Sequence, residues 1–584
     1  MSNSEYDFII VGAGSAGSVL ANRLSTSGKF SVLLLEAGRP NHPWTRVPVG
    51  FARLIDNPKA NWLYKSEPEE GSANRPIDVP RGKLLGGSSA INGMVFVRGQ
   101  SQDYDTWAQL GNRGWSYRDV LPHFRKMETY AGGDDEFRGR DGPLQVTDLD
   151  ESGPLYDAIM AAAREVGIPY NADYNGAVQE GISMTQATIR KGRRMSTARC
   201  YLDPAMGRSN LTIVTGAHTD GLTFEGTRCT GVRYTVDGSQ RTALAGREVV
   251  VSAGAINSPQ LLELSGIGQP ELLKQHGIEV RHALPGVGEN LRDHFAPRMK
   301  WKIKAPGHTY NDKMRGIGTV FQALRYAVTG TGLLGLPASP LRAYVRSREG
   351  LASPDVSIGF VPFLVAEGFK LDKQSGITVI THTLRSESTG SIHIGEPNSK
   401  APPKIRFNFL TAEYDREVTL AGMRIVRQIM EAPAMAPMGG LEIAPGPALR
   451  DDGELLQWVK DTAETAYHPI GTCKMGSDER AVVDEQLHVH GIEGLRVADA
   501  SIMPTIVSGN TNAPAIMYLR LLPLVFAVMV LLPSDQTLLP PVPPEPVVPA
   551  ETFVPAAPAV MVEVEIEETS RNFLAYPPPA PFMS

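Results

Sequence analysis

The sequence predicts an α/β protein, α+β overall, that opens with a Rossmann-like nucleotide-binding unit. Three observations support this class. An apolar, β-rich run, "FIIV" (Phe8 to Val11), leads into the glycine loop "GAGSAG" and then into a helical pattern. A second apolar run, "SVLLLE", comes next and ends at Glu36. The chain of 584 residues is also long enough for more than one structural unit.

Each residue of the glycine loop has a physical role in this interpretation. Gly12 permits a tight turn after the strand, Gly14 lets a pyrophosphate approach the backbone, and Gly17 lets the helix pack close to the strand. Ser15 and Ala16 begin the helix, whose free N–H groups and dipole favour an anion. The alternative is an ordinary glycine-rich turn, which the ordered strand, loop, helix and acid disfavour.

An acid at the end of the second strand restricts the nucleotide. Glu36 stands nineteen residues after Gly17 and is followed by Ala37. A carboxylate there accepts hydrogen bonds from a ribose 2′-OH and repels a 2′-phosphate, so FAD or NAD is favoured over NADP. A second pattern, "GTGLLG" (Gly330 to Gly335), has no strand before it and prolines after it, which predicts a loop.

Composition and charge exclude several other classes. The net charge of −6 and the lack of a basic block argue against nucleic-acid binding. Three widely spaced cysteines, Cys200, Cys229 and Cys473, form no pattern typical of a disulfide framework or a zinc site. The first apolar run follows Glu5 and Asp7 rather than basic residues, so it is not typical of a signal peptide. We expect a cytoplasmic protein.

A second glycine-rich stretch, "GKLLGGSSAINGMVFVRG", spans residues 82–99. Gly86 and the glycine after it allow close approach of the backbone, and Ser88 and Ser89 add hydroxyl donors. These properties predict a cradle for a phosphate or a flavin ring. Taken alone, a tight turn explains the stretch equally well.

Further motifs follow in order along the chain. They are "GAINSPQLLELSGIG" (254–268), "GVGENLRDH" (286–294), "YHPIGTCKMG" (467–476), "LRVADASIMP" (495–504) and "SGNTNAP" (508–514). With the N-terminal glycine loop, this set closely resembles the glucose-methanol-choline (GMC) family of FAD-dependent oxidoreductases, most of all its bacterial alcohol and choline dehydrogenases. The resemblance extends from about Tyr6 to Met517.

The resemblance implies a Rossmann-like FAD-binding domain interwoven with a substrate domain built on an antiparallel sheet. The expected FAD-binding segments are 5–40, 76–150, 206–299 and 461–520, and the expected substrate-binding segments are 41–75, 151–205 and 300–460. Residues 521–584 leave the family pattern, as an apolar run and then a proline-rich tail, and are expected to be disordered. Either a genuine extension or a frameshifted end fits them.

The resemblance also implies which residues contact FAD. They come from both glycine-rich stretches and from the later motifs: Gly12, Gly14, Ser15, Ala16, Gly17, Glu36, Ala37, Gly86, Ser88, Ser89, Asn92, Gly93, Val95, Val214, Ala253, Asp499, Ala500, Ala513 and Pro514. Some members attach FAD covalently through a histidine just before the asparagine that matches Asn92. Ile91 occupies that position here, so non-covalent FAD is expected.

Oxidation of an alcohol needs a base within hydrogen-bond reach of the hydroxyl, and histidine suits that role. His468 matches the family's base, and Asn512 matches its partner, with Asn510 as a second candidate. Without this context His468 would be an ordinary hydrogen-bonded loop histidine. Cys473 lies near it at no standard metal-ligand spacing, so no metal is expected, and His294 is expected only to brace a loop.

The implied reaction is FAD-dependent oxidation of a small-molecule alcohol to an aldehyde or ketone, with hydride passing to flavin N5. A quinone, a cytochrome or oxygen would reoxidise the flavin, and a dehydrogenase is favoured over an oxidase. Choline oxidisers usually carry a carboxylate in the segment that matches residues 331–345, where this chain has Arg342 and no acid. An uncharged or aromatic alcohol is therefore favoured over choline.

Two alternatives concern the end of the chain. An altered C-terminus would leave a flavin-binding protein without activity. The apolar run 521–532 could instead associate with a membrane, but its twelve residues are fewer than the roughly twenty of a spanning helix, so we do not favour this reading.

Overall fold

The computed structural model describes residues 4–149, 151–366 and 371–517. The strands of its two principal sheets are β1 (Ser4–Val11), β2 (Val32–Glu36), β3 (Gly181–Met184), β4 (Leu211–Thr215), β5 (His218–Glu225), β6 (Arg228–Val236), β7 (Ser239–Val251), β8 (Arg298–Lys302), β9 (Leu341–Val345), β10 (Val356–Val361), β11 (Gly376–Thr383), β12 (Leu441–Ala444) and β13 (Leu495–Val497).

The α-helices are α1 (Ser15–Ser25), α2 (Phe51–Leu54), α3 (Ser101–Gln109), α4 (Tyr117–Met127), α5 (Pro154–Glu165), α6 (Gly254–Leu264), α7 (Pro270–Gln275), α8 (Tyr310–Lys313), α9 (Ile317–Thr329), α10 (Glu413–Glu431), α11 (Asp452–Thr462) and α12 (Asn512–Met517). Short strand pairs join Tyr64–Lys65 to Asp78–Val79, Glu128–Thr129 to Leu144–Gln145, Thr147–Asp148 to Gln186–Ala187, Ile189–Arg190 to Arg193–Arg194, Ile267–Gly268 to His282–Ala283, Phe295–Ala296 to Glu464–Thr465, and Ser391–His393 to Lys404–Arg406.

The first sheet has the order β4-β2-β1-β7-β6-β5, and β13 pairs with the end of β7. Its pairs β4–β2, β2–β1, β1–β7 and β7–β13 are parallel, whereas β5, β6 and the start of β7 are antiparallel. The central strands are buried on both faces, which explains their continuous apolar sequences. The predicted strand, glycine loop, helix and second strand are confirmed as β1, α1 and β2.

The second sheet is antiparallel, with the order β12-β8-β11-β10-β9-β3. Helix α10 packs against β10 and β11. Its buried apolar side chains, among them Val418, Met423 and Val426, join the core on that side of the sheet. The other side of the sheet supplies side chains to the cavity described below.

Two large apolar clusters form the interior. The first surrounds the parallel sheet and draws on residues 8–35, 85–146, 200–287 and 470–517, and the second surrounds the antiparallel sheet and draws mainly on residues 64–79, 155–182 and 291–463. Both sheets thus take strands from separated stretches of the chain. The domain limits expected from the sequence stay a prediction.

The described helices include none whose length and apolar character would let it cross a lipid bilayer. The expectation that residues 521–584 form an apolar run and a disordered proline-rich tail concerns a part of the chain outside the described residues.

Candidate active site

A cavity of about 570 Å³ extends from the glycine loop at the start of α1 to the inner face of the antiparallel sheet. Its lining includes Gly12 and Glu36 at one end and His468, Arg342 and His382 at the other. Such an elongated space, walled by both sheets, joins a nucleotide-binding end to a second end that carries titratable side chains.

The N-terminal glycine loop (residues 12–17) and the second glycine-rich stretch (residues 82–99) are here called the two glycine cradles. Their glycines let separate backbone segments meet at the cavity wall. Gly12 has φ +98°, and a Cβ there would lie 2.5 Å from the carbonyl oxygen of Ser252. Gly87 has φ +51°, and a Cβ there would lie 2.6 Å from Cα of Gly14. A Cβ on Gly17 would overlap the carbonyl oxygen of Gly12 at 1.8 Å, so Gly17 is needed for packing α1 on the strand.

The start of α1 is suited to an anion. No side chain caps the first turn of this eleven-residue helix, so its N–H groups are available to a ligand in the cavity. Gly14, Ser15 and Ala16 all line the cavity at this point. These features fit the pyrophosphate of a dinucleotide.

Glu36 is buried at the end of β2 and holds the loop that faces the cavity. Its carboxylate accepts hydrogen bonds from the backbone N–H of Ala13 at 3.0 Å and of Gly38 at 2.8 Å. Burial raises the pKa of Glu36 to about 7, against the effect of these bonds and of Lys83. The side chain therefore fixes the loop and still lines the site where a ribose hydroxyl would bind.

Asp499, like Glu36, is a buried acid of the cavity wall that binds backbone N–H groups. Its carboxylate accepts hydrogen bonds from the N–H groups of Gly254 and Ser501, each at 2.8 Å, and from the Ser258 hydroxyl. Burial raises the pKa of Asp499 in spite of these donors. The aspartate thus ties the start of α6 to the segment after β13.

Most of the residues expected to contact FAD line this cavity: Gly12, Gly14, Ser15, Ala16, Glu36, Ala37, Ser88, Asn92, Gly93, Val95, Ala253, Asp499 and Ala500. The others do not: Gly17, Gly86, Ser89, Val214, Ala513 and Pro514.

The residues outside the lining support the wall from behind. Ser89 accepts a hydrogen bond from the backbone N–H of Thr197, and Gly86 turns the backbone at φ +88°. Val214 lies within β4, and the residues after that strand, such as Ala217, reach the cavity instead. The glycine cradle, the uncapped start of α1 and the buried acid Glu36 all line the cavity. Together they fit an extended FAD.

Hydrogen bonds to the backbone of residues 467 and 468 fix the loop that carries His468. Its backbone N–H donates to Asp293 Oδ1 at 2.9 Å, and Tyr467 before it has φ +69°, a left-handed conformation that costs free energy in a tyrosine. Thr465 stabilises this turn by accepting a hydrogen bond from the Tyr467 N–H at 2.7 Å. The structure thus maintains a strained backbone next to the candidate base.

Three side chains and a carbonyl form a chain of hydrogen bonds through His468. His294 Nε2 lies 2.9 Å from the carbonyl oxygen of Leu384, and His294 Nδ1 lies 3.0 Å from His468 Nδ1. On its other side, His468 Nε2 lies 2.8 Å from Asn510 Nδ2. His468 therefore has a partner at each ring nitrogen.

The partners determine the tautomers. A carbonyl oxygen only accepts, so the proton of neutral His294 is on Nε2, and its Nδ1 must accept from His468. Burial lowers the pKa of His294 to about 4, which keeps that ring neutral. His468 consequently carries its proton on Nδ1. Its Nε2 has a free lone pair that receives the Asn510 amide.

The pKa of His468 also lies well below the usual value for histidine. Burial is the largest cause, followed by repulsion from His294, His382 and two arginines, Arg81 and Arg342. His468 is therefore unprotonated at neutral pH, the state that a base requires.

The structure places the two candidate partners of His468 differently. Asn512, the first residue of α12, lies on the far side of the turn and accepts a hydrogen bond from the Ser15 hydroxyl at 2.8 Å. Asn510 lies beside His468 instead. The two asparagines differ in position because Asn512 begins α12, whereas Asn510 lies in the segment before that helix. Both amides line the cavity, at different points.

Sequence reasoning missed two histidines of this site. His294 does more than brace a loop, since it contacts the ring of His468 directly. His382, on β11, stacks on His294 with ring centroids 4.4 Å apart and lines the cavity. The alternation of β11, whose residues 378, 380 and 382 all face the cavity, was a usable signal for His382.

Comparisons with known proteins bear on this arrangement. Two sequence models described as GMC oxidoreductase match the chain, one at residues 6–296 and the other at residues 386–518. The chain is 44% identical over 528 residues to a protein named oxygen-dependent choline dehydrogenase from Yersinia pseudotuberculosis, covering 88% of this chain and 92% of that protein. A protein of the same name from Chromohalobacter salexigens is 43% identical over 521 residues, covering 88% and 93%.

Solved structures share the fold. Pyridoxine 4-oxidase from Mesorbium loti matches with a TM-score of 0.81 and 30% identity, covering 89% of this chain and 99% of that one. An FAD-dependent oxidoreductase from Chaetomium thermophilum matches with a TM-score of 0.83 and 26% identity, covering 90% and 99%.

These findings confirm the resemblance that the motifs suggested, and with it the α/β FAD-binding fold and the class of FAD-dependent oxidoreductases that act on CH–OH groups. The two matching models together cover more than half of the chain, and the curated relatives match along most of it. The chain belongs to the GMC oxidoreductase family.

Proposed function

We propose that His468 Nε2 is the base that removes the hydroxyl proton of an alcohol, and that Asn510 is its partner. The observation that supports this most directly is the 2.8 Å contact between Asn510 Nδ2 and a ring nitrogen of His468 left unprotonated by the bond to His294. An alcohol oxygen that replaces this direct contact gives its proton to His468 and receives a hydrogen bond from Asn510. Developing negative charge on that oxygen is thereby stabilised.

The residues proposed to hold FAD are those of the two glycine cradles, Glu36 and Asp499. When bound, FAD supplies the hydride acceptor for the alcohol carbon. Ile91 lines the cavity before Asn92 and has no nucleophilic atom, which supports non-covalent binding. Release of all the flavin into the supernatant after acid precipitation would test this, and flavin retained in the pellet would contradict it.

His294 is proposed to position the base rather than to react. Its Nδ1 accepts from His468 and thereby fixes which nitrogen of His468 faces the substrate, because His294 is in turn fixed by the carbonyl of Leu384. The proton that reaches Nε2 leaves an imidazolium whose Nδ1–H still donates to His294. The bond to His294 thus keeps Nε2 of His468 directed at the substrate before and after the proton is transferred.

Choline is the second candidate substrate, since curated relatives at 44% and 43% identity are named oxygen-dependent choline dehydrogenases. The names of these relatives also support oxygen as an acceptor to test beside a quinone or a cytochrome. The acid-free segment that contains Arg342 favours other alcohols. A cytoplasmic location stays our proposal, to be tested by fractionation of cells that express the full chain.

Anaerobic flavin reduction tests the proposed function. The purified protein is mixed with benzyl alcohol, a short aliphatic alcohol or choline, and the absorbance of oxidised flavin is followed. We expect at least one alcohol to bleach the flavin completely, with a primary kinetic isotope effect when the carbinol hydrogens are replaced by deuterium. A flavin that stays oxidised with every alcohol would contradict the proposal.

A further inference from the structure

Arg342, the second residue of β9, lines the cavity at its substrate end. Its neighbours across the antiparallel sheet are Gly359 on β10 and Ser183 on β3. Because alternate residues of a strand face the same side, Arg342 shares the cavity-facing side with Tyr344. Gly359 also lines the cavity, and a Cβ added there would lie 3.0 Å from Ser339 Oγ and 3.9 Å from Arg342 Nη2.

The guanidinium of Arg342 is buried without a carboxylate. The residue is 7% exposed, and no carboxylate of the described residues lies within 4.0 Å of it. Nη1 donates to the Tyr344 hydroxyl at 2.7 Å and, at a longer 3.3 Å, to Asn510 Oδ1. Nε has no acceptor. Both acceptors are neutral, so the positive charge is not compensated.

Other cations near the cavity are differently placed. Arg298 forms an ion pair with Glu464 at 2.7 Å. Arg81 donates to the backbone carbonyl of Tyr467 at 2.7 Å and is attracted by the buried carboxylate of Asp293. The histidines at this end are neutral. Arg342 differs from both, because among the described residues it has neither an ion pair like that of Arg298 nor a nearby buried carboxylate like the Asp293 that attracts Arg81.

The acids of the cavity lie away from Arg342. The lining contains two carboxylates, Glu36 and Asp499, and both are used by backbone N–H groups at the cofactor end. An ionised guanidinium that is desolvated without a counter-charge is costly, and arginine does not lose its proton in proteins. An anionic ligand group would satisfy it, because a carboxylate accepts from two guanidinium donors at once.

We propose that Arg342 forms a carboxylate-binding subsite, so that the favoured substrates are alcohols that carry a carboxylate. This inference rests on the proposed function, whose base and partner define the other end of the substrate. A single amide group, that of Asn510, separates the guanidinium from His468. The carboxylate and the reacting carbinol must then be only a few bonds apart, which points to short hydroxycarboxylates. Choline, with a cationic head, would be repelled by the same group.

The test compares substrates that differ in charge but not in shape. 4-Hydroxybutanoate and 4-hydroxybutanamide are assayed by anaerobic flavin reduction, with choline as the cationic comparison. The reduction rate constant divided by the substrate Kd is measured for each, and the ratio of acid to amide is taken. The same ratio is measured for Arg342→Gln and for the control Arg298→Gln, whose guanidinium is paired with Glu464 in the parent chain. Arg342→Gln also removes the hydrogen bond to Asn510, which affects the reaction of both substrates. The ratio between the two substrates is insensitive to that shared effect.

We expect the acid to be preferred by at least about tenfold, as a charge-assisted hydrogen bond implies, and Arg342→Gln to remove most of that preference. Arg298→Gln should leave it unchanged. Equal use of acid and amide by the parent chain, or a preference that survives Arg342→Gln, would overturn the inference. Choline as the preferred substrate would overturn it as well.

A binding measurement separates this inference from the proposed function. Butanoate and butanamide, which lack the carbinol, are titrated into the oxidised flavoprotein, and their Kd values are taken from the change in flavin absorbance. Tighter binding of butanoate by about tenfold supports the subsite even if no alcohol reduces the flavin, an outcome that contradicts only the proposed reaction. Equal Kd values in a protein that oxidises neutral alcohols refute the subsite and leave the reaction intact.

Discussion

Substitution of Asn510 by alanine separates the two asparagines of the "NTN" motif. The change removes the amide donor 2.8 Å from His468 Nε2 and the acceptor of Arg342. Loss of one preorganised donor to a developing oxyanion lowers kcat by roughly 100- to 1,000-fold, or about 2.7–4 kcal/mol of transition-state stabilisation. We expect a fall of this size in the rate constant for anaerobic flavin reduction at saturating alcohol.

Asn512→Ala is the matched control, two residues away and of the same type. It removes one hydrogen bond between neutral groups, the bond from Ser15, which contributes about 0.5–1.5 kcal/mol to stability. The rate constant of flavin reduction, measured at saturating FAD in a stopped-flow instrument, should change by less than about tenfold. A large loss in Asn512→Ala with near-normal reduction in Asn510→Ala would refute the assignment of the partner.

Three further outcomes are expected. Gly87→Ala, whose Cβ would lie 2.6 Å from the backbone of the N-terminal glycine loop, should lose bound flavin, whereas Gly207→Ala, with nothing within 4 Å, should keep a normal 450 to 280 nm absorbance ratio. The kcat/KM of the parent chain should stay level from pH 8 to 6.5 and fall only at lower pH, because protonation of His468 requires a pH below its depressed pKa; an acid limb centred above pH 6.5 would contradict this. Burial lowers the pKa of His393, but Glu263 and Glu289 raise it to about 9. The ion pair of protonated His393 with these glutamates therefore stabilises the fold fully below pH 6.5, and this contribution is lost as pH rises through 9. His393→Gln should thus cost about 3 kcal/mol of unfolding free energy near pH 6 and little at pH 10, and an equal cost at both would refute the ion pair.

The cofactor end of the molecule could be predicted from the sequence because its signals are local. The run Phe8–Val11, the glycine loop and Glu36 fall within one strand-helix-strand unit, where spacing alone determines which atoms meet. Residues expected to contact the cofactor but found behind the wall, such as Gly17 and Ser89, belong to the same local unit. Their sequence positions are close to the cavity, but backbone packing turns them away from it.

The substrate end could not be predicted in the same detail because it is assembled from distant segments. His294, His382 and His468 come from a loop, a sheet strand and another loop, and no spacing in the chain relates them. The choice between Asn510 and Asn512 depends on where α12 begins, a boundary that sequence patterns define only to within a few residues. The sequence shows that the segment with Arg342 contains no acid. That no other segment of the described chain supplies a carboxylate to Arg342 became evident only from its neighbours in the structure.

Anaerobic flavin reduction by His468→Ala tests the central claim most directly. The flavin content and absorbance spectrum of the variant are measured first. We expect both to match the parent chain, because the His468 side chain lies at the other end of the cavity from the glycine cradles. Loss of a general base predicts a reduction rate constant lower by roughly 100- to 10,000-fold at pH 7. A flavin-containing His468→Ala protein that is reduced by alcohols within a few-fold of the parent rate would contradict the role of His468 as the base.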